Sequence, residues 1–279
     1  MKRWLTTLVL FAVCSAVVRA DVTVVQTTTM EGGMVAMAGG NVPTPTMTTR
    51  MKGMRSRTEV ATGGAFSVIT ITDLTAKQII ILRPDQKTAT IASLAPPAIA
   101  GAPAAPPAPA AASGGLDASV KLTGKSQTID GIKCDEYAFT TTLDMSALTG
   151  GQMPPEAAAS MQGVKMIMAG SMWVAKDVPG AAEYVAYQKA SASIDMSSAA
   201  AGVSGVKLPG MDKVMKAMGS IDGMAYLTEM TMNVEGTGQI ADMMKQMGPM
   251  KLTIRTTSIK ADALSDDLFK VPEGYTVVK

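Results

Sequence analysis

The chain has 279 residues, with 25 basic and 23 acidic side chains, 24 methionines, two cysteines and no histidine. Without histidine, Ser-His-Asp and Cys-His catalysis, histidine-ligated zinc and the usual acid–base group of neutral pH are excluded. The near-balanced charge offers no basic patch for phosphates, so nucleic acid is not an expected partner.

Residues 1–20 read as a secretory signal. Lys2 and Arg3 form a positive start, Trp4 to Val18 an apolar stretch too short for a stable span, and Val18-x-Ala20 a cleavage site before Asp21. Cys14 lacks the small preceding residue of a lipidated cysteine, and the apolar run continues past it, so cleavage is expected rather than a lipid anchor. Cleavage removes Lys2, Arg3 and Arg19 from the 25 basic residues and none of the 23 acidic ones, leaving a net charge of −1. A periplasmic or secreted protein is expected, with no transmembrane span in the remaining chain. Cys134 is then the one cysteine left, so a single domain over 21–279 must rest on its core rather than on a disulfide.

In chain order, "VTVVQTTTM" (22–30) predicts a strand, and "MTTRMKGMRSRTEV" (47–60) a strand pair or one long strand. "QIIILRPDQKTATIAS" (78–93) predicts a hairpin turning at Pro84-Asp85. Residues 95–115, with six prolines and no apolar periodicity, predict an extended mobile loop that interrupts the domain, with a spacer arm as the alternative. "VKLTGKSQTIDGIKCDEYAFTTTL" (120–143) predicts a second hairpin with Asp130-Gly131 as its turn. Cys134 lies mid-strand beside Asp135 and Glu136, which should raise its pKa and blunt its reactivity.

Three motifs tempt and fail. "TGKS" (123–126) lacks the upstream glycine of a phosphate-binding loop, where Ser119 stands instead. Ser204-x-x-Lys207 has the spacing of a Ser-Lys nucleophile but no companion motif. Gly236-x-Gly238-x-x-Ala241 has the outline of a dinucleotide turn, yet the strand before it alternates in polarity and no βαβ series follows. With nine aromatic residues after Ala20, stacking on single-stranded nucleic acid is disfavoured too. No cofactor and no enzymatic activity are expected.

The methionines follow secondary-structure periods. Met224, Tyr226, Met230, Met232 and Val234 share one face of a strand, while Glu229, Asn233 and Glu235 take the other. Met250, Leu252 and Ile254 alternate with polar residues. Ile240, Met243, Met244 and Met247 fall at helical spacing, as do Met211, Val214, Met215 and Met218. Methionine therefore stands where leucine or isoleucine would, and lines a core or a deformable apolar cavity. Met215, Met218, Met230, Met232, Met243 and Met247 are the candidate cavity residues. A methionine-based copper(I) site, the metal alternative, needs two to four converging thioethers, whereas these residues are spread over many elements.

"IILRPDQKTATI" is similar to the strand–turn–strand of the lipoprotein carrier and receptor group (LolA/LolB-like). "TGKSQTIDGIKCDEYAF", "MWVAKDVPGAAEY" and the ending "LSDDLFKVPEGYTVV" resemble a family of secreted bacterial proteins, a domain of unknown function related to that group; Phe269, Pro272, Gly274 and Tyr275 match its closing pattern. The resemblance implies an α+β fold: an antiparallel sheet curled into an open half-barrel, with helices packed on its concave face over an apolar cavity. The function it implies is binding or carriage of an acyl chain or other apolar ligand, with a lipid or an acylated protein as partner. The alternative is a structural or interaction module whose methionines fill the core.

Overall fold

The alternating segments pair as their turn chemistry dictates. The computed structural model describes residues 21–33, 35, 44–63, 66–94, 116–145, 160–194 and 210–278. The signal segment 1–20, the segment 95–115, and Ser204 with Lys207 lie outside these residues. Strands β1 (Val22–Gly32), β2 (Thr46–Lys52), β3 (Arg55–Thr62), β4 (Phe66–Asp73), β5 (Gln78–Arg83) and β6 (Thr88–Ser93) form one antiparallel meander. A second runs through β7 (Leu116–Ile129), β8 (Ile132–Asp144), β9 (Lys165–Ala175), β10 (Met224–Glu235) and β11 (Met250–Lys260). Helices α1 (Ala181–Ala192) and α2 (Met211–Gly219) intervene between β9 and β10, and α3 (Gln239–Gln246) between β10 and β11. Pairing of β1 with β11 merges the meanders, and β12 (Thr276–Val278) adds to β6 in parallel.

Turn residues explain the registers. Asp130 and Gly131 carry φ of 51° and 80°, the positive pair that a two-residue hairpin turn between twisted strands requires. The expected hairpin at Pro84-Asp85 forms between β5 and β6, and the 47–60 segment forms β2 and β3 rather than one long strand. The Gly236/Gly238 segment is a connector from β10 to α3, and β10 is antiparallel to both its neighbours, unlike a dinucleotide-binding strand.

The expected fold class is corrected here. In place of an α+β half-barrel with helices across its concave face, the described residues form one open, mixed sheet of twelve strands, ordered β12-β6-β5-β4-β3-β2-β1-β11-β10-β9-β8-β7. Size is the physical reason. Helices of 12, 9 and 8 residues extend only about 12 to 18 Å, whereas twelve strands span roughly 50 Å. The helices of the described residues are too short to form a layer over that sheet.

Cover is instead local and lies on both faces. Ser56 and Arg57 are successive residues of β3 and so point to opposite faces. Ser56 Oγ and the Tyr187 hydroxyl of α1 are 2.6 Å apart in a buried hydrogen bond. Around them, Val22, Val24, Met51, Leu74, Leu94, Cys134, Ala175, Ala181 and Met224 form the main core. On the other face, Arg57 donates to the Leu268 carbonyl at 3.0 Å, and a short 3-10 helix (Asp266–Phe269) seats Phe269 on Ile69, Ile71, Ile80, Leu82 and Ala89. Lys52 and Arg55 hold Asp266 at 3.3 and 2.6 Å, and the Leu264 amide donates to Asp21 at 2.8 Å. The closing segment is thus a strap across β3 to β6.

Candidate ligand site: a methionine-lined cleft on an apolar sheet face

Strand register gathers apolar residues into rows. Residues directly opposite one another share a face. One row runs Met30, Leu252, Met230, Gly170, Phe139 and Val120 across β1, β11, β10, β9, β8 and β7. The next on that face sets Met250 against Met232 and Met232 against Met168, and beyond it Val234 faces Met166 and Met166 faces Leu143. The rows between carry the polar side: Glu31, Lys251, Thr231 and Ala169 are one of them. Strand alternation alone makes this half of the sheet two-sided.

Helices α2 and α3 touch the apolar face at separate places. Met218 of α2 packs on Met172, Val174 and Ile221. Helix α3 contacts β10, and Met244 and Met247 from its inner side meet Met166, Met232, Val234 and Met250 of the sheet. They enclose a cleft of about 210 Å³, completed by Gly248. Among the described residues no charged side chain lines it, and the five methionines that do are all half-buried. A larger groove of about 440 Å³ beside α1, lined by Lys176, Ala182, Val185, Lys189 and Asp222 among others, is shallow, and both its lysines are ion-paired.

The six methionines singled out by periodicity do not share one space. Met232 and Met247 line the cleft. Met230 lies in the neighbouring row, half-buried between Leu252 and Gly170. Met218 sits with the α2 cluster, and Met215 is half-buried on the same helix. Met243 is 58% exposed. At 3.6 residues per turn, Met243 lies about 160° around the helix from Ala241, whose side chain is fully buried; the inward arc runs through Met244 instead. Sequence reasoning missed Met166, although Met166 and Met168 alternate in "KMIMAG", and it did not carry Met244 and Met250 from their periodic patterns into the site.

Charge gathers away from the cleft. Arg255 donates to both oxygens of Asp130 at 2.7 Å and Tyr226 donates to it at 3.1 Å, and these bonds hold the Asp130 carboxyl below the usual range. Burial pushes the Glu59 carboxyl up, but hydrogen bonds from Arg57 and Arg50 outweigh it and leave it lowered. The Cys134 thiol is raised, chiefly by burial, with Asp135 and Asp130 adding to it. The direction agrees with the sequence expectation, but the leading cause is desolvation and not the adjacent acids. Among the described residues no group of three or more Cys, Asp or Glu is placed to hold a metal, and no helix is long and apolar enough to cross a membrane.

No family model matches the chain, and no curated protein matches it. Among solved structures the chain is similar to the lipoprotein LppX of Mycobacterium tuberculosis, at 10% identity over 87% of this chain and 88% of that one, with a TM-score of 0.28.

Proposed function

We propose that this chain is a non-enzymatic cell-envelope protein that binds a single acyl chain, presented by a lipid or an acylated protein. The observation that carries the reading is continuity: the cleft under α3, whose described lining is uncharged, adjoins three apolar rows, the longest of which crosses six strands. A methylene takes roughly the 30 Å³ that a water does in the liquid, so the cleft of about 210 Å³ holds about seven. Burying seven methylenes at about 0.8 kcal/mol each gains about 5 to 6 kcal/mol, little more than the 4 kcal/mol or more that association costs. Useful affinity therefore requires the rest of the chain to lie along Met168, Met230 and Leu252. Methionine suits such a surface, since its unbranched, polarizable side chain adapts to a flexible ligand.

The test is displacement of a fluorescent fatty acid from purified protein, in wild type and in Met247→Asp. Binding lost in a variant that still unfolds cooperatively supports the reading. Equal binding by both, or none by wild type, defeats it.

A further inference from the structure

The fold draws together methionines that the sequence scatters. Met166, Met232, Met244, Met247 and Met250 come from β9, β10, α3, the residue just after α3, and β11, and all five border one cleft. Met232 and Met250 are directly opposite across β10 and β11, so their Cβ atoms lie about 5 Å apart. Met244 and Met247 are three apart at the C-terminal end of α3, about 5 to 6 Å between Cβ atoms. Three sulfurs around one ion at bonds of about 2.3 Å need to lie about 4 Å apart, well within the reach of side chains with three rotatable bonds.

From this convergence we infer that the cleft is a thioether site for one soft monovalent metal ion, copper(I) in a living cell. The donor set selects the metal: thioether sulfur prefers copper(I), and the cleft residues offer no carboxylate or imidazole to hold calcium, magnesium or zinc. Because the five methionines are only half-buried, a bound cation keeps part of its contact with solvent. The inference uses the same cleft as the acyl reading and does not depend on acyl occupancy.

Silver(I), which has the same preference and no redox chemistry, is the probe. Silver nitrate is added in chloride-free buffer to the purified chain carrying Cys134→Ala, which removes the competing thiol, and retention is read by native mass spectrometry. One ion per chain is expected. The triple variant Met232→Leu, Met244→Leu, Met247→Leu should lose at least tenfold in affinity and keep its unfolding midpoint, since leucine conserves volume and removes only the sulfur. Met51→Leu with Met218→Leu, outside the cleft, should bind as wild type. In the unsubstituted protein, methionine methyl resonances should shift on titration only for cleft residues, a readout that survives if the triple variant fails to fold. No retention, equal retention by the triple variant, or shifts spread over all methionines would overturn the inference. Acyl binding measured on the same triple variant separates the two readings, because an apolar cleft of leucines still takes an alkyl chain.

Discussion

Phe269→Ala should release the C-terminal strap. The ring is 6% exposed and rests on Ile71 and Leu82, which are 1% and 0% exposed in paired strands. Rigid walls of that kind cannot collapse into a void. A buried aromatic removes about 150 to 250 Å² from water, or about 4 to 6 kcal/mol at 25 cal/mol per Å² as an upper bound. Phe-to-Ala changes in cores cost about 3 to 5 kcal/mol, and about 3 is expected here because the strap can partly resettle. Arg55 lies 5.1 Å above the ring and also pairs with Asp266 at 2.6 Å, so Arg55→Met should cost about 1 to 2 kcal/mol through the two lost contacts together. Urea unfolding followed by Trp173, half-buried beside the main core, reports the global change. Amide exchange at Thr276–Val278 reports whether β12 leaves β6. A shift under about 1 kcal/mol with β12 still protected would refute the reasoning.

Asp266 is held below its ordinary carboxyl range, first by its hydrogen bond from Arg55 and then by Lys52. A lowered folded-state pKa contributes stability above the unfolded value of 3.8 and loses it as pH falls below that; proteolysis within the strap should therefore accelerate below about pH 4, and Asp266→Asn should flatten that profile. Asp130→Asn should keep more stability than Asp130→Ala, since asparagine tolerates the positive φ of 51° while both lose the charge on the Arg255 pair; thermal unfolding of the two variants decides it. Cys134, fully buried with a raised pKa, should react with iodoacetamide orders of magnitude more slowly in native than in unfolded protein, and equal rates would contradict its placement. A Cβ at Gly170 would come within 2.0 Å of the Glu229 carbonyl oxygen, so Gly170→Ala should force β9 from β10 and lower the midpoint measurably.

Much of the sheet was legible because most strands announce themselves locally, although β4 and β12 were not expected. Alternation marked β10 and β11, but a bulge between Ala225 and Leu227 turns Met224 away from the face of Met230 and Met232 that the pattern had it share. Two turn dipeptides, Pro84-Asp85 and Asp130-Gly131, set the flanking hairpins. What periodicity cannot say is which segment covers which face. The strap reads like any closing turn, yet it takes the face opposite Tyr187 because Lys52, Arg55 and Arg57 hold it there. The helical layer came from the resemblance and not from the residues, and it failed on length. For the site, strand and helix periods each pointed methionine inward but left register open. Met218, at helical spacing, and Met232, at strand spacing, both point inward yet lie in different clusters, which only the pairing of β8 to β11 decides. Met166 joined the site through its neighbour Val234 across β9 and β10, a partnership between residues 68 positions apart in the chain.

Calorimetric titration of unlabelled octanoate, dodecanoate and hexadecanoate, each below its micellar concentration, tests the central claim most directly. If a chain fills the cleft and runs on across the half-buried rows, affinity should rise about fourfold for each two added carbons, half of the full 0.8 kcal/mol per methylene. A flat series, or no binding of hexadecanoate at two temperatures at least about 15 °C apart, would contradict acyl binding.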